Sequence, residues 1–165
     1  MKPTSSGDDV LSDAERADLL AALDDEYMAR ATYAQAIADF GDVRPFANIV
    51  DSEGRHIEAL VSLFERYGVP VPADTWPGRV PRYSSLHEAC LAGVAAEVDN
   101  GELYERLLTG TARTDILAVY RNLQEASQER HLPAFRRCVE RGSGSPGDAS
   151  GSPGGGRRQR RRRGR

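Results

Sequence analysis

Residues 45–68 read PFANIVDSEGRHIEALVSLFERYG, and the positions of Glu53 and His56 within them decide how the chain is built. Pro45 suits the first helical position and Gly68 suits a terminus, so the stretch predicts one helix. At 3.6 residues per turn, Phe46, Ile49, Val50, Ile57, Leu60, Phe64 and Tyr67 fall within about 60° of Glu53. One apolar face thus carries a carboxylate and, one turn later, an imidazole. A carboxylate placed there points into a core, where it must be protonated, ion-paired or bound to a metal.

The same pattern recurs outward from this stretch. A first helix is predicted from Ser12, with Glu15 completing a capping box, to Phe40 before Gly41. Its expected inward stripe contains Leu19, Leu20, Leu23, Glu26, Tyr27, Arg30, Tyr33, Ala34 and Ile37. A third runs from Ser84 or Ser85, with Glu88, to Thr109, and Glu97 sits mid-face among Leu86, Cys90, Val94, Tyr104 and Leu108. A fourth runs from Thr114 or Asp115 to Arg141, with His131 on the face of Tyr120, Leu123, Ser127, Ala134 and Cys138. Pro133 lies inside it and predicts a lost ladder bond and a bend.

Connection lengths set the topology. About four residues join helices one and two, and again three and four, which makes two antiparallel hairpins. Residues 69–83 contain Pro70, Pro72, Pro77, Gly78 and Pro81, too much proline for a helix. Extended at ~3.3 Å per residue they span up to about 50 Å, against about 36 Å for a 24-residue helix. They can run the full length of a bundle and leave helices two and three parallel. The expected class is therefore all-α: a ferritin-like four-helix bundle of two antiparallel hairpins joined by a long crossover. The expected units are a flexible N-terminus (1–11), the bundle (12–141), a Gly/Ser/Pro linker (142–156) and an Arg-rich tail (157–165).

Every helix places a metal-capable side chain on its apolar face. Glu97 follows Cys90 by seven residues, and His131 precedes Cys138 by seven. In an antiparallel hairpin Glu97 and His131 then share a level, with the cysteines together about two turns (~10 Å) away. The cysteines read as two small core residues, with a bond between them as the alternative. Two cysteines make neither a disulfide framework nor a zinc knuckle.

The runs Glu26-Tyr27-Met28-Ala29-Arg30 with Tyr33, Phe46-Ala47-Asn48-Ile49 with Ser52-Glu53 and His56, and Arg130-His131-Leu132-Pro133-Ala134-Phe135 resemble the ferritin-like family catalogued as domain of unknown function 2202. The resemblance extends over roughly residues 11–139. It implies a ferritin-like bundle with a non-haem di-iron site, held by Glu26, Glu53, His56, Glu97 and His131. One departure stands out: a second Glu-x-x-His would need glutamate where Gln128 stands. Glu125 and Glu129 lie about 120° and 160° around the helix from His131 and do not substitute. The second metal position is then weak, water-completed or empty.

Arg30 and Arg130 fall near the centres of inward faces. Either they pair with a carboxylate such as Asp99 and orient the ligands, or they neutralise the glutamates and no metal binds. Tyr33 and Tyr104 lie seven residues from Glu26 and Glu97, as core residues or as hydrogen-bonding or redox-active neighbours. The leading functional expectation is a protein that oxidises Fe(II) with oxygen or peroxide, of ferroxidase or peroxidase type. Manganese shares this ligand set. The other reading is a non-catalytic scaffold.

Charge is unevenly spread. Arg157, Arg158, Arg160, Arg161, Arg162, Arg163 and Arg165 contribute seven positive charges, and taking these from the net −3 leaves −10 on the remainder. Such a tail, without aromatic residues, suits salt-dependent contact with nucleic acid or another polyanion, or else is a solvated appendage. Residues 1–10 lack the apolar core of a signal peptide, and no run approaches ~18 apolar residues, so no membrane association and a cytoplasmic location are expected. Assembly into a homo-oligomer stays open.

Overall fold

A computed structural model describes residues 10–143. The expected Arg-rich tail, most of the preceding linker and most of the N-terminal segment lie outside the described residues. Those residues are all-helical: α1 (Asp13–Phe40), α2 (Phe46–Arg66), α3 (Leu86–Leu107), α4 (Thr114–Ala126), a π-helical turn (Ser127–His131) and α5 (Leu132–Ser143). No described helix is long and apolar enough to cross a membrane.

The helix starts follow local chemistry. Ser12 caps α1 through the Glu15 amide, and the Glu15 carboxylate returns to the Ser12 amide at 2.9 Å, closing the box. Ser85 accepts from the Glu88 amide at the start of α3. Pro45 caps α2 rather than opening it, and α3 ends two residues before Thr109.

Cross-helix bonds give the directions. Between α1 and the α3 side, Glu15 meets Thr111, Asp18 meets Arg106, Glu26 meets Tyr104 and Tyr33 meets Glu97. The numbers rise on one helix as they fall on the other, so α1 and α3 are antiparallel. The hairpin makes α1 and α2 antiparallel as well, and hence α2 and α3 run parallel. Residues 67–85 make this geometry workable by running along α1. Tyr27 donates to the Pro72 carbonyl, Arg30 pairs with Asp74, Trp76 Nε1 donates to Asp24, and Arg82 pairs with Asp39.

The fourth rod departs from expectation. Instead of a continuous helix bent at Pro133, the chain widens just before the proline, and the Leu132 amide bonds to the Ser127 carbonyl five residues back. Proline cannot donate and crowds the preceding turn, and the wider turn gives it room. The extra residue rotates the downstream helix by about 100° relative to an unbroken 3.6-residue period. Arg130 consequently points out to Glu125 at 3.7 Å instead of into the bundle. The final helix also reaches Ser143, past the expected boundary at Arg141.

Two apolar clusters fill the interior. One holds Leu19, Leu23, Leu60, Phe64, Leu107, Ile116 and Tyr120; the other holds Tyr33, Phe46, Ile49, Cys90, Phe135 and Cys138. Cys90 and Cys138 are joined by a disulfide, which corrects their reading as two unbonded core residues. Close approach of α3 to the last rod depends on glycine: a Cβ on Gly93 would sit 2.5 Å from the Phe135 ring.

Glu15 ties the start of α1 to the start of α4, since its Oε1 also accepts from Thr111 at 2.7 Å and Arg113 at 3.0 Å. Burial raises its pKa, but bonds from Ser12, Thr111 and Arg113 outweigh that and lower it from 4.5 to about 2. A depressed folded-state pKa stabilises above the unfolded value and loses that contribution as pH falls through the folded one. Glu15→Ala should therefore lower stability by about 1–2 kcal/mol at neutral pH. In thermal unfolding followed by circular dichroism, the gap between wild type and variant should shrink as pH falls from 4.5 towards 2.

Candidate metal centre

Between the two apolar clusters lies a polar layer. Glu26, Glu53, His56, Glu97, Asn100, Ser127 and His131 are the buried polar residues of the described chain, and each is at most 8 % exposed. All five residues expected to bind metal are among them.

Glu53 is the hub. Its Oε2 lies 2.8 Å from His56 Nδ1, and its Oε1 lies 3.1 Å from His131 Nδ1. Each imidazole nitrogen also faces a second carboxylate: Glu26 Oε2 at 3.1 Å from His56, and Glu97 Oε1 at 3.6 Å from His131. The result is two triads, Glu26–Glu53–His56 and Glu53–Glu97–His131, each with one donor atom per residue within 4.8 Å of the others. The rings stack with centroids 5.4 Å apart.

A surrounding shell orients them. Ser52 Oγ lies 3.3 Å from His56 Nε2 and 3.1 Å from His131 Nε2, so one hydroxyl serves both rings. Tyr33 donates to Glu97 Oε1 at 2.7 Å, and Tyr104 donates to Glu26 Oε1 at 2.6 Å. Each tyrosine thus follows one glutamate by seven residues on its own helix and holds the glutamate of the other. Ser127 donates to Glu97 Oε2 at 2.6 Å, and Asn100 donates to Glu26 at 3.3 Å and Asp25 at 2.8 Å.

Other expected neighbours stand elsewhere. Arg30 is 39 % exposed and pairs with Asp74 at 3.0 Å, and Arg130 pairs weakly on the surface, so neither orients or neutralises the buried glutamates. Asp99 is exposed and pairs with neither arginine, although it does line the cavity that reaches the triads. Gln128 donates to the Glu97 carbonyl at 2.7 Å and to Ser127 at 3.0 Å, bracing α3 without reaching a carboxylate of the triads. Ser127 stands on the same face as His131, whereas Ser52 and Asn100 are shell residues that the apolar stripes do not single out. Helical spacing could find them: Ser52 precedes a histidine by four residues, and Asn100 follows Glu97 by three.

The electrostatics are those of a self-neutralised cluster. Burial pulls both imidazoles down, but the carboxylates facing them reverse this, raising His56 to about 10 and His131 to about 9. Burial raises Glu53, and the two histidines more than offset it, leaving its carboxyl below the ordinary range. Glu26, desolvated beside Glu53, is pushed up. Burial and the neighbouring carboxylates hold Tyr33 and Tyr104 well above 10, so both phenols remain donors. A cavity of about 330 Å³ reaches all five triad residues and is also lined by Asp25, whose burial raises it to about 6.

The donor set fits a divalent cation. His131 Nδ1 is buried and completes no hydrogen bond among the described residues, although Glu53 lies at 3.1 Å and Glu97 at 3.6 Å. A cation between the carboxylates would take that nitrogen's lone pair, and mixed imidazole and carboxylate donors suit iron, manganese or zinc.

Comparison with known proteins agrees with the architecture. The family model described as "Uncharacterized protein domain (DUF2202)" matches residues 15–79, a span containing Glu26, Glu53 and His56. The uncharacterized protein MJ0754 of Methanocaldococcus jannaschii is 28 % identical over 144 residues, covering 78 % of this chain and 77 % of that one. The crystal structure of that hypothetical protein superposes with a TM-score of 0.73 at 24 % identity over 87 % of both chains. The crystal structure of rv2844, a conserved hypothetical protein from Mycobacterium tuberculosis, gives 0.69 at 18 % identity, covering 83 % of this chain and 96 % of that one. These likenesses establish a shared helical fold.

The crossed tyrosines generate a comparison. Tyr33→Phe removes the hydrogen bond to Glu97 Oε1 and leaves only Ser127 on Oε2, whereas Tyr104→Phe leaves Glu26 Oε1 the 3.3 Å bond from Asn100 and Oε2 the 3.1 Å contact with His56. Each should cost about 1–3 kcal/mol in urea unfolding of the metal-free protein, with Tyr33→Phe the larger loss because Glu97 Oε1 is left without a hydrogen bond.

Proposed function

We propose that the chain is a ferritin-like, non-haem iron protein that binds two irons and oxidises Fe(II) with oxygen or peroxide. The observation that carries this reading is the sharing of Glu53 between two triads, one oxygen to each. A shared carboxylate flanked by two imidazoles and two terminal carboxylates is the donor arrangement of a dinuclear carboxylate site less one glutamate, whose place Gln128 takes, so the second ion would be the more weakly held. The arginine-neutralised alternative loses support, because Arg30 and Arg130 are engaged elsewhere.

Glu26 and His56 would hold one ion, Glu97 and His131 the other, and Glu53 both. Bound iron would supply electrons to the oxidant as it passes from ferrous to ferric. The chain's own part is positioning. Ser52 Oγ has two lone pairs and can accept an N–H from both Nε2 atoms, which frees both Nδ1 lone pairs for a cation. Tyr33, Tyr104, Ser127 and Asn100 fix the terminal carboxylates. The two apolar clusters flank the layer, which is reached by the cavity beside Asp25 and by a second one of about 260 Å³ at Ser52 and His131. Protons and metal compete for the same nitrogens, so apparent affinity should weaken as pH falls.

Metal content by mass spectrometry, after anaerobic Fe(II) loading and desalting, tests the proposal. Close to two irons per chain are expected, with most lost in Glu53→Ala. No retained metal in wild type would sink the reading and favour a scaffold whose buried charges neutralise one another. Ser52→Ala should keep the fold and weaken metal binding by about 10–100-fold, measured by chelator competition.

A further inference from the structure

A second cavity, of about 770 Å³, touches none of the triad residues. It lies where the starts of α2 and α3 meet α5, and its lining includes Arg44, His87, Arg137, Arg141 and Cys138 but no carboxylate. Arg44, Arg137 and Arg141 are exposed at the rim of this cleft and form no ion pair with any described residue. His87 Nδ1 is buried and has no hydrogen-bond partner among the described residues. Three unpaired guanidinium groups with no opposing acid make a cleft that attracts anions.

The disulfide borders this cleft. Cys90 is fully buried, while Cys138 is 5 % exposed and lines the cavity, so a solvent-borne reagent meets Cys138 first. From this juxtaposition we propose that Cys90–Cys138 is a redox-active disulfide served by a small carboxylate-bearing thiol, which docks against Arg44, Arg137 and Arg141 and exchanges at Cys138.

The exchange balances as two displacements. The thiolate of the first thiol attacks Cys138 Sγ, forming a mixed disulfide. The Cys90–Cys138 bond breaks, and its electron pair leaves on Cys90 as a thiolate, which takes a proton. A second molecule of the thiol attacks the mixed disulfide at the small-molecule sulfur and releases Cys138. Two thiols are oxidised to one small disulfide, and the protein gains two thiols. The arginines hold the carboxylates and stabilise the attacking thiolate. Nothing in this proposal depends on metal at the triads.

The test uses the full oxidised chain and three probe thiols: mercaptosuccinate (anionic), 2-mercaptoethanol (neutral) and cysteamine (cationic). Reactions are quenched with N-ethylmaleimide, alkylated cysteines are counted by mass, and rates are normalised to thiolate concentration. At low ionic strength mercaptosuccinate should react about tenfold faster than 2-mercaptoethanol, with cysteamine slowest, and high salt should compress the series. The triple variant Arg44→Gln, Arg137→Gln, Arg141→Gln breaks no ion pair among the described residues, so it should fold, as circular dichroism can check, and lose the preference. Equal rates in wild type would overturn the proposal. So would a preference surviving the triple substitution, which would assign it to charges outside the cleft, or a disulfide that no thiol reduces in the folded protein.

Discussion

Glu53 offers one carboxylate oxygen to each of two imidazoles, and the rest of the buried layer is arranged so that this single group can be ionised inside a helical bundle. A lone carboxylate there would be prohibitive, and two protonated histidines beside one carboxylate would be nearly as bad. Glu26 and Glu97 supply the balancing acid on either side, and each is in turn held by a tyrosine from the facing helix. Removing any member exposes the others to an uncompensated charge. The layer therefore behaves as one unit, wedged between two apolar clusters that cannot absorb a stray polar group.

The unit is almost symmetric. A Glu-x6-Tyr pattern occurs on α1 at Glu26 and Tyr33 and on α3 at Glu97 and Tyr104, and each tyrosine crosses to the other helix. The symmetry fails on the remaining pair of rods, where Glu53 has Gln128 as its counterpart. Gln128 turns to the α3 backbone and to Ser127, and Ser127 takes up the free oxygen of Glu97. The two triads are consequently unequal: Glu26 is backed by an amide, Glu97 by a hydroxyl.

Much of this is legible in the sequence, for reasons that are local or steric. Ser12 with Glu15 and Ser85 with Glu88 specify helix starts through bonds made within one turn. Pro70, Pro72, Pro77 and Pro81 forbid helix between the hairpins. The five triad residues stand out because a charged side chain on an apolar stripe is conspicuous at a fixed period. The misreadings share one cause, the assumption that the period continues unbroken or that a face has a single neighbour. The π-helical turn at Ser127–His131 breaks the period, so an unbroken helix draws Arg130 inward when it points outward. Arg30 falls on a core stripe, yet it leaves the core because the crossover, which has no periodicity to place it, supplies Asp74. Ser52 and Asn100 look ordinary in sequence, since small polar residues on helices have many uses. The disulfide depends on side-chain geometry that a seven-residue register narrows without deciding.

The Cys90–Cys138 link also divides the chain in a way that matters before it is folded. It closes a loop of sequence separation 48 that encloses Glu97, Tyr104, Ser127 and His131 and leaves Glu26, Tyr33, Ser52, Glu53 and His56 outside. On the chain-entropy account, closing such a loop removes about 4 kcal/mol of disorder from the unfolded state. An oxidised chain thus begins with the α3–α5 half of the cluster already tethered, and assembly reduces to docking one hairpin onto a covalent ring. A reduced chain must find both halves by diffusion. The redox history of the polypeptide is thereby written into the order in which its buried charges meet.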